Sequence, residues 1–409
     1  MPEFGWEPVI LTVHEKYYEE PLDWNLVKLV PSWLKIYKSN SFPVTKPRII
    51  GDIGLRAFFQ LYKNAKEIIK SEKIDFVYIP IPFFYLALLG RLLKKSTGVP
   101  YGIDYIDPWV HQFPGSEKVF SRHWFSTKFA KFLEPIAVKK ASLITGVAKG
   151  YYKGVQERNP HLHKQAIFGD MPYGGEKTDH EKLKLLKAKP YLFKKNEQKI
   201  QLIYAGAMLP KAYAPLESIF KSICNNKDVF QSVEFHFIGT GKSTRDANGY
   251  NLKTLAEQYD LWQTIIFEYP QRIPYLDVLV HLEAATGIFI LGSTEPHYTP
   301  SKVYQAVLSS KPIFAVLHKE SSAVKVLQQS RAGLVLSFNG ENDLLSIENS
   351  FTPLMMKFFT WLKAYDDTQI KMEIFEQYSA KNVTRELAML LEKAYLNSTD
   401  KVKNNKTMR

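Results

Sequence analysis

The chain has 409 residues, too many for one ordinary core, so two or three domains are expected. With 45% hydrophobic and 23% charged residues it has the make-up of a soluble globular protein, and its single cysteine, Cys224, excludes an intrachain disulfide or a cysteine-based metal cluster. A net charge of +13 points to an anionic partner; nucleic acid fits least, since no recognition motif appears and the lysines are spread along the chain.

No uninterrupted apolar run approaches the roughly 20 residues needed to cross a bilayer. The first eight residues are acidic and proline-bearing and lack the basic start of a signal peptide. One cysteine also suits a reducing compartment. The expected location is therefore cytoplasmic, with contact at the inner face of the cell membrane as a further option.

In chain order, Val9–Val13 reads as a strand buried on both faces, entered from the tail of a helix and a turn. Residues 21–46 are irregular and rich in aromatics, prolines and lysines. Apolar spacing predicts a helix over 54–70 and a strand over 74–80. Residues 83–93, FFYLALLGRLL, are apolar almost all round and precede Lys94 and Lys95. They read as a buried helix or as an interfacial membrane segment with basic ends. A strand follows over 99–106, then a long basic helix over 119–140, broken near Glu134 and Pro135. A strand over 141–147 and a helix over 149–158 complete the region.

The turn-rich MPYGGE at 171–176 marks a domain boundary. Beyond it strands and helices alternate again, with strands over 200–205, 233–238, 265–267, 287–290, 313–317 and 333–336. Such alternation argues for parallel sheets covered by helices, and two such regions in tandem make two Rossmann-like domains facing a cleft. Residues 351–397 are mainly helical. The expected domains are 1–170, 171–396 with its C-terminal helices, and a basic disordered tail over 397–409.

Candidate ligand groups cluster after strands of the second region, where ligands of parallel sheets bind. Gly206 is followed by Lys211, and Gly239-Thr240-Gly241 by Lys242. Pro300, Ser301 and Lys302 open a helix, where free backbone N–H groups and the positive helix end favour an anion. Taken together, the three loops point to a diphosphate or nucleotide held in a positively lined gap. The end of the strand at 99–106 carries Asp104, Asp107, Trp109 and His111.

Gly206 to Lys211, Phe237 to Gly241, Pro300 to Gln305 with Lys311-Pro312-Ile313, and Ala332-Gly333-Leu334 resemble the donor-binding domain of GT-B glycosyltransferases. They are most similar to the family 4-like group of retaining sugar-nucleotide transferases. The hinge at 171–176 and the aspartate-bearing strand end at 99–109 resemble other parts of that frame, and together they cover most of residues 1 to 396. The resemblance implies transfer of a sugar from a nucleotide diphosphate sugar to a polysaccharide or lipid-linked acceptor, with no metal and no other cofactor. It assigns Gly206, Lys211, Pro300, Ser301 and Lys302 to the diphosphate, and Gly239, Arg272, Ile273 and Gln305 to the nucleotide. Asp104, Asp107 and His111 would face the sugar and the acceptor hydroxyl. An anionic membrane surface is a further expected partner. Arg56, Phe58, Phe59, Phe83, Phe84, Lys94 and Lys95 suit a lipid-linked or anionic acceptor.

The chain departs from that pattern in three places. The family's two glutamates would fall at His297 and Gln305; Glu295 stands near the first and would take its contact with the donor sugar. The arginine that usually follows the first glycine is Ala207. Related chains also begin with a strand and a glycine-rich loop, and here the pattern starts inside the following helix, so the first sheet is expected to lack a central strand. Two other readings keep the fold: a donor-binding pseudoenzyme, and a nucleotide-sugar epimerase, which would need acid–base groups in the cleft.

Overall fold

The computed structural model describes residues 1–45, 50–110, 118–186, 189–241, 243 and 246–407. It divides into two units. Unit 1 comprises Met1–Leu22, Val30–Pro172 and the chain from Val383 onward; unit 2 comprises Asp23–Leu29 and Tyr173–Asn382.

In unit 1, strand β1 (Val9–Val13) pairs in parallel with β2 (Lys35–Ser39) and with no other described strand. Helix α1 (Ile53–Ser71) starts at Asp52, whose carboxylate accepts the Leu55 N–H, satisfying one of the unpaired donors of the first turn. Strands β3 (Val77–Pro80), β4 (Tyr101–Tyr105), β5 (Leu143–Gly146) and β6 (Ile167–Asp170) form a parallel sheet of four in that order. The helices between them are α2 (Ala87–Thr97), α3 (Arg122–Val138) and α4 (Lys149–Arg158). A slot of about 390 Å³ borders Leu11, Thr12 and Val13 on β1 and Val77, Tyr78 and Ile79 on β3. Successive strand residues point to opposite faces. A cavity that touches consecutive residues of both strands therefore meets both edge-on, and the slot lies along two unpaired edges.

Three features of unit 1 differ from the sequence reading. Strand β2 forms inside a stretch expected to be irregular; KIYKS shows only one partly buried side chain before Ser39, so its polar composition hides it. Helix α3 runs unbroken through Pro135. Glu134 is fully buried and accepts two bonds from Arg158, at 2.8 and 2.9 Å, while the Tyr101 hydroxyl donates to the Ala137 carbonyl at 2.5 Å. These anchors hold the turn that proline weakens. Last, helix α12 (Ala380–Thr407) continues through most of the tail expected to be disordered, and from Val383 it packs with unit 1. Leu391 and Ala394 meet Phe76 and Leu143, and the Ser398 hydroxyl bonds that of Ser142 at 2.8 Å. In α2, meanwhile, Ala87, Leu89, Gly90 and Leu93 are buried, so this segment is a core helix.

In unit 2, after helix α5 (Lys177–Leu186), one parallel sheet of six is formed by β7 (Ile200–Ala205), β8 (Val233–Ile238), β9 (Ile266–Tyr269), β10 (Gly287–Leu291), β11 (Ile313–His318) and β12 (Gly333–Phe338). Its spatial order is β12-β11-β10-β7-β8-β9. The connecting helices are α6 (Tyr213–Cys224), α7 (Lys253–Gln258), α8 (Tyr275–Ala284), α9 (Lys302–Leu308) and α10 (Ser322–Ser330); α11 (Leu344–Lys363) follows the last strand. Alternate strand residues feed two cores. Leu202, Tyr204, Phe289, Leu291, Phe314 and Val316 enter one, and Ile203, Ile288, Ile290, Ile313 and Ala315 the other. Burial on both faces explains the continuous apolar runs of these strands.

Candidate functional site

Unit 2 has a topological switch point. From β7 the chain moves outward to β8 and β9, then crosses back to β10 on the other side of β7 and continues to β11 and β12. The carboxyl ends of β7 and β10, where the chain reverses its direction across the sheet, are the usual ligand position in open parallel sheets. The β7 loop starts at Gly206, whose φ is +134°, a conformation L side chains rarely adopt. A Cβ there would also lie 3.1 Å from the Lys302 Nζ. The loop is tied down by the Tyr204 hydroxyl, which donates to the Ala207 carbonyl at 2.9 Å.

Lys302 is the first residue of α9, and its Nζ is buried without a hydrogen-bond acceptor among the described residues. It sits 3.4 Å above the centroid of the Tyr204 ring, itself fully buried. The ring face offers a cation partial compensation. Burial nevertheless pushes the Lys302 pKa well below the ordinary lysine value, because the charged form has lost its water. An anion entering beside Gly206 would supply the missing partner.

Lys211, on the same β7 loop, is joined to the β10 loop in two ways. Its carbonyl accepts the Thr294 N–H at 3.0 Å, and its Nζ stands 3.9 Å from the Glu295 carboxylate. Pro300 is buried and its carbonyl accepts the Val303 N–H at 3.1 Å. Ser301 is exposed, one residue before the helix rather than inside its first turn, and its side chain makes no capping bond. Ser301, Lys302 and Gln305, with Tyr173 and Tyr275, line a pocket of about 310 Å³.

The expected nucleotide group divides in two. Gly239, with φ +74°, follows β8, and Arg272 lies against it, with its Cγ 3.6 Å from where a Cβ would stand. Arg272 is exposed, and Ile273 packs on the core beside it. Gln305 lines the same pocket as Lys302, and its Oε1 accepts from His180 Nε2 at 2.9 Å. The sequence reading missed Tyr204 and His180, and also Glu268. The Glu268 carboxylate accepts the Thr240 hydroxyl and the N–H groups of Asn251 and Leu252 at 2.8–2.9 Å. These bonds pin the loop that begins at Gly239. A carboxylate inside the apolar strand IFEY was a usable signal for Glu268; Tyr204 and His180 carried none.

In unit 1, Asp104 ends a chain of hydrogen bonds. Tyr78 and Thr145 hydroxyls are 2.7 Å apart, and Thr145 donates to Asp104 at 2.7 Å. Burial raises the Asp104 pKa, and these bonds moderate the rise. Asp107 is exposed, and Trp109 is buried with its ring stacked on Phe84 at 6.2 Å. His111 and Lys242 lie outside the described residues.

No family model matches the chain, and no curated protein matches it. Solved structures do. A glycosyltransferase from Rickettsia africae ESF-5 aligns with a TM-score of 0.60 at 16% identity, over 96% of this chain and 91% of that one. Anabaena Alr3699/HepE in complex with UDP-glucose aligns with a TM-score of 0.60 at 12% identity, over 94% and 99%. Sucrose-phosphate synthase from Thermosynechococcus elongatus gives 0.59 at 12%, over 100% and 91%. The chain thus has an α/β fold of two Rossmann-like parts with C-terminal helices, the fold of solved GT-B glycosyltransferases.

Proposed function

We propose that the protein is a glycosyltransferase of the family 4-like group, moving a sugar from a nucleotide diphosphate sugar to a polysaccharide or lipid-linked acceptor at the inner face of a membrane, in the making of a cell-surface glycan. The observation that carries this is the Nζ of Lys302, buried at the switch point of unit 2 without an acceptor among the described residues. Lysines on both flanking loops suit a diphosphate leaving group, whose charge grows in the transition state. Gly206, Lys211, Pro300, Ser301 and Lys302 would hold that group. Gly239, Arg272 and Ile273 would border the nucleotide, with Gln305 near it. Glu295 would contact the sugar through its place beside Lys211, and Asp104, Asp107 and His111 would serve the acceptor side. No metal or other cofactor is assigned a part. Support also comes from the likeness to a protein solved with UDP-glucose.

A second reading, donor binding without turnover, is favoured by Gln305, a neutral residue already occupied by His180. One experiment separates the two. The protein is melted with a panel of nucleoside diphosphates, then incubated with radiolabelled sugar nucleotides and membrane extracts. A ligand at a hundredfold excess over its Kd stabilises the folded form by about 2.7 kcal/mol. Stabilisation with label transfer is expected. Stabilisation with neither transfer nor donor hydrolysis selects the second reading, and no stabilisation by any nucleoside diphosphate overturns both.

A further inference from the structure

Helix α3 has low amphipathicity in sequence because it is apolar on two sides. One side is core: Ala130, Ala137 and Val138 are buried, with Leu133 packed beside them. The other carries Phe125, Phe129, Phe132 and Ile136, spaced four, three and four residues apart, which places them in a single stripe along the helix. All four are exposed, Phe129 by 56% and Phe132 by 67%. Phe120 extends the stripe beyond the helix start, its ring 6.3 Å from that of Phe125. It is 77% exposed and has φ +63°, an uncomfortable backbone for a bulky residue. Its ring also lies 5.7 Å from that of Trp124.

Charge is arranged around this stripe. Lys128 and Lys131 are exposed on the helix, and Lys139 and Lys140, also exposed, follow its end. The one carboxylate of the helix, Glu134, is buried against Arg158. An exposed aromatic stripe with cations on the same helix and at its C-terminal end matches the boundary of an anionic bilayer, where rings enter the acyl region and lysines reach headgroups. Among the described residues no helix is long and apolar enough to cross a membrane, so the contact would be made from the surface. We infer that the outer face of α3, with Phe120, is a docking surface for a membrane containing anionic lipid. This deepens the reading of a transferase working at a membrane, yet it involves no residue of the donor site.

The test is co-sedimentation of the full chain with vesicles of phosphatidylglycerol mixed with phosphatidylcholine, against phosphatidylcholine alone. Binding to the anionic vesicles only, weakening as salt rises, is expected. The double variant F129S/F132S should lower partitioning roughly tenfold or more. K131Q and K139Q should each lower it about fivefold. Both sets should keep the wild-type melting temperature and its shift with nucleoside diphosphate. Three results would overturn the inference: no partition of the wild type onto anionic vesicles, equal partition of the variants, or a wild-type dimer that F129S/F132S turns into a monomer. The last would assign the face to a second copy. Loss of nucleotide stabilisation with vesicle binding intact would overturn the donor reading and leave this one standing.

Discussion

At the scale of single residues, Lys302 sets ligand affinity against stability. Its amine is buried over the Tyr204 ring, without an acceptor among the described residues, and the lowered pKa records the cost of charging it there. In the unfolded chain the same amine titrates at the ordinary lysine value. Between the lowered value and the ordinary one the unfolded chain therefore holds the extra proton. Stability gains from this group as pH rises through that window, and is reduced below it. Lys302→Met removes the penalty and keeps the volume of the stem. The variant is expected to be more stable by about 1–3 kcal/mol and to show a flatter rise of stability towards alkaline pH. It should also lose the melting shift produced by nucleoside diphosphate. Thermal melts across pH, with and without UDP, would read all three, and a variant that keeps the UDP shift would remove Lys302 from the site.

At the scale of elements, helix α3 and the loops of unit 2 illustrate what fixes a segment once it has formed. Pro135 marks a break in the sequence reading, and the structure carries the helix past it because Glu134 is locked to Arg158 and Tyr101 holds the Ala137 carbonyl. Glu134 is buried while Arg158 reaches solvent, so removing the carboxylate loses two charge-assisted hydrogen bonds and leaves an arginine that water can serve. Glu134→Ala should thus cost about 1–3 kcal/mol in urea unfolding. A loss comparable to that of a surface substitution would show that the pair does not hold the helix. The strands of unit 2 were legible because both of their faces are buried, so their sequences are continuous apolar runs. Strand β2 was not: as the outer member of a pair it needs few apolar side chains, and its backbone pairing with β1 leaves no trace in composition.

At the scale of the whole molecule, chain order and spatial membership part company at both ends. Asp23–Leu29 belongs to unit 2, where the Asp23 carboxylate accepts the Tyr275 N–H at the start of α8. The chain from Val383 belongs to unit 1, where Leu391 and Ala394 cover Phe76 and Leu143. Ending the chain after Asn382 would bare those side chains. In calorimetry the truncated protein should lose unit 1 stability while the UDP-induced shift, a property of unit 2, persists. Loss of the UDP shift together with unit 1 stability would contradict that division. The sequence by itself determined the alternation of strands and helices, the turn-rich boundary near residue 172 and the glycine and lysine loops after β7, β8 and β10. Those are local signals, written in periodicity, in turn residues and in the few positions where only glycine is comfortable. Only the tertiary structure decided that Lys302 lies over Tyr204, that Gln305 answers to His180, that Phe129 and Phe132 face outward, and which unit receives α12. Each of these depends on residues far apart in sequence meeting in space, and on which side of an element is left for water.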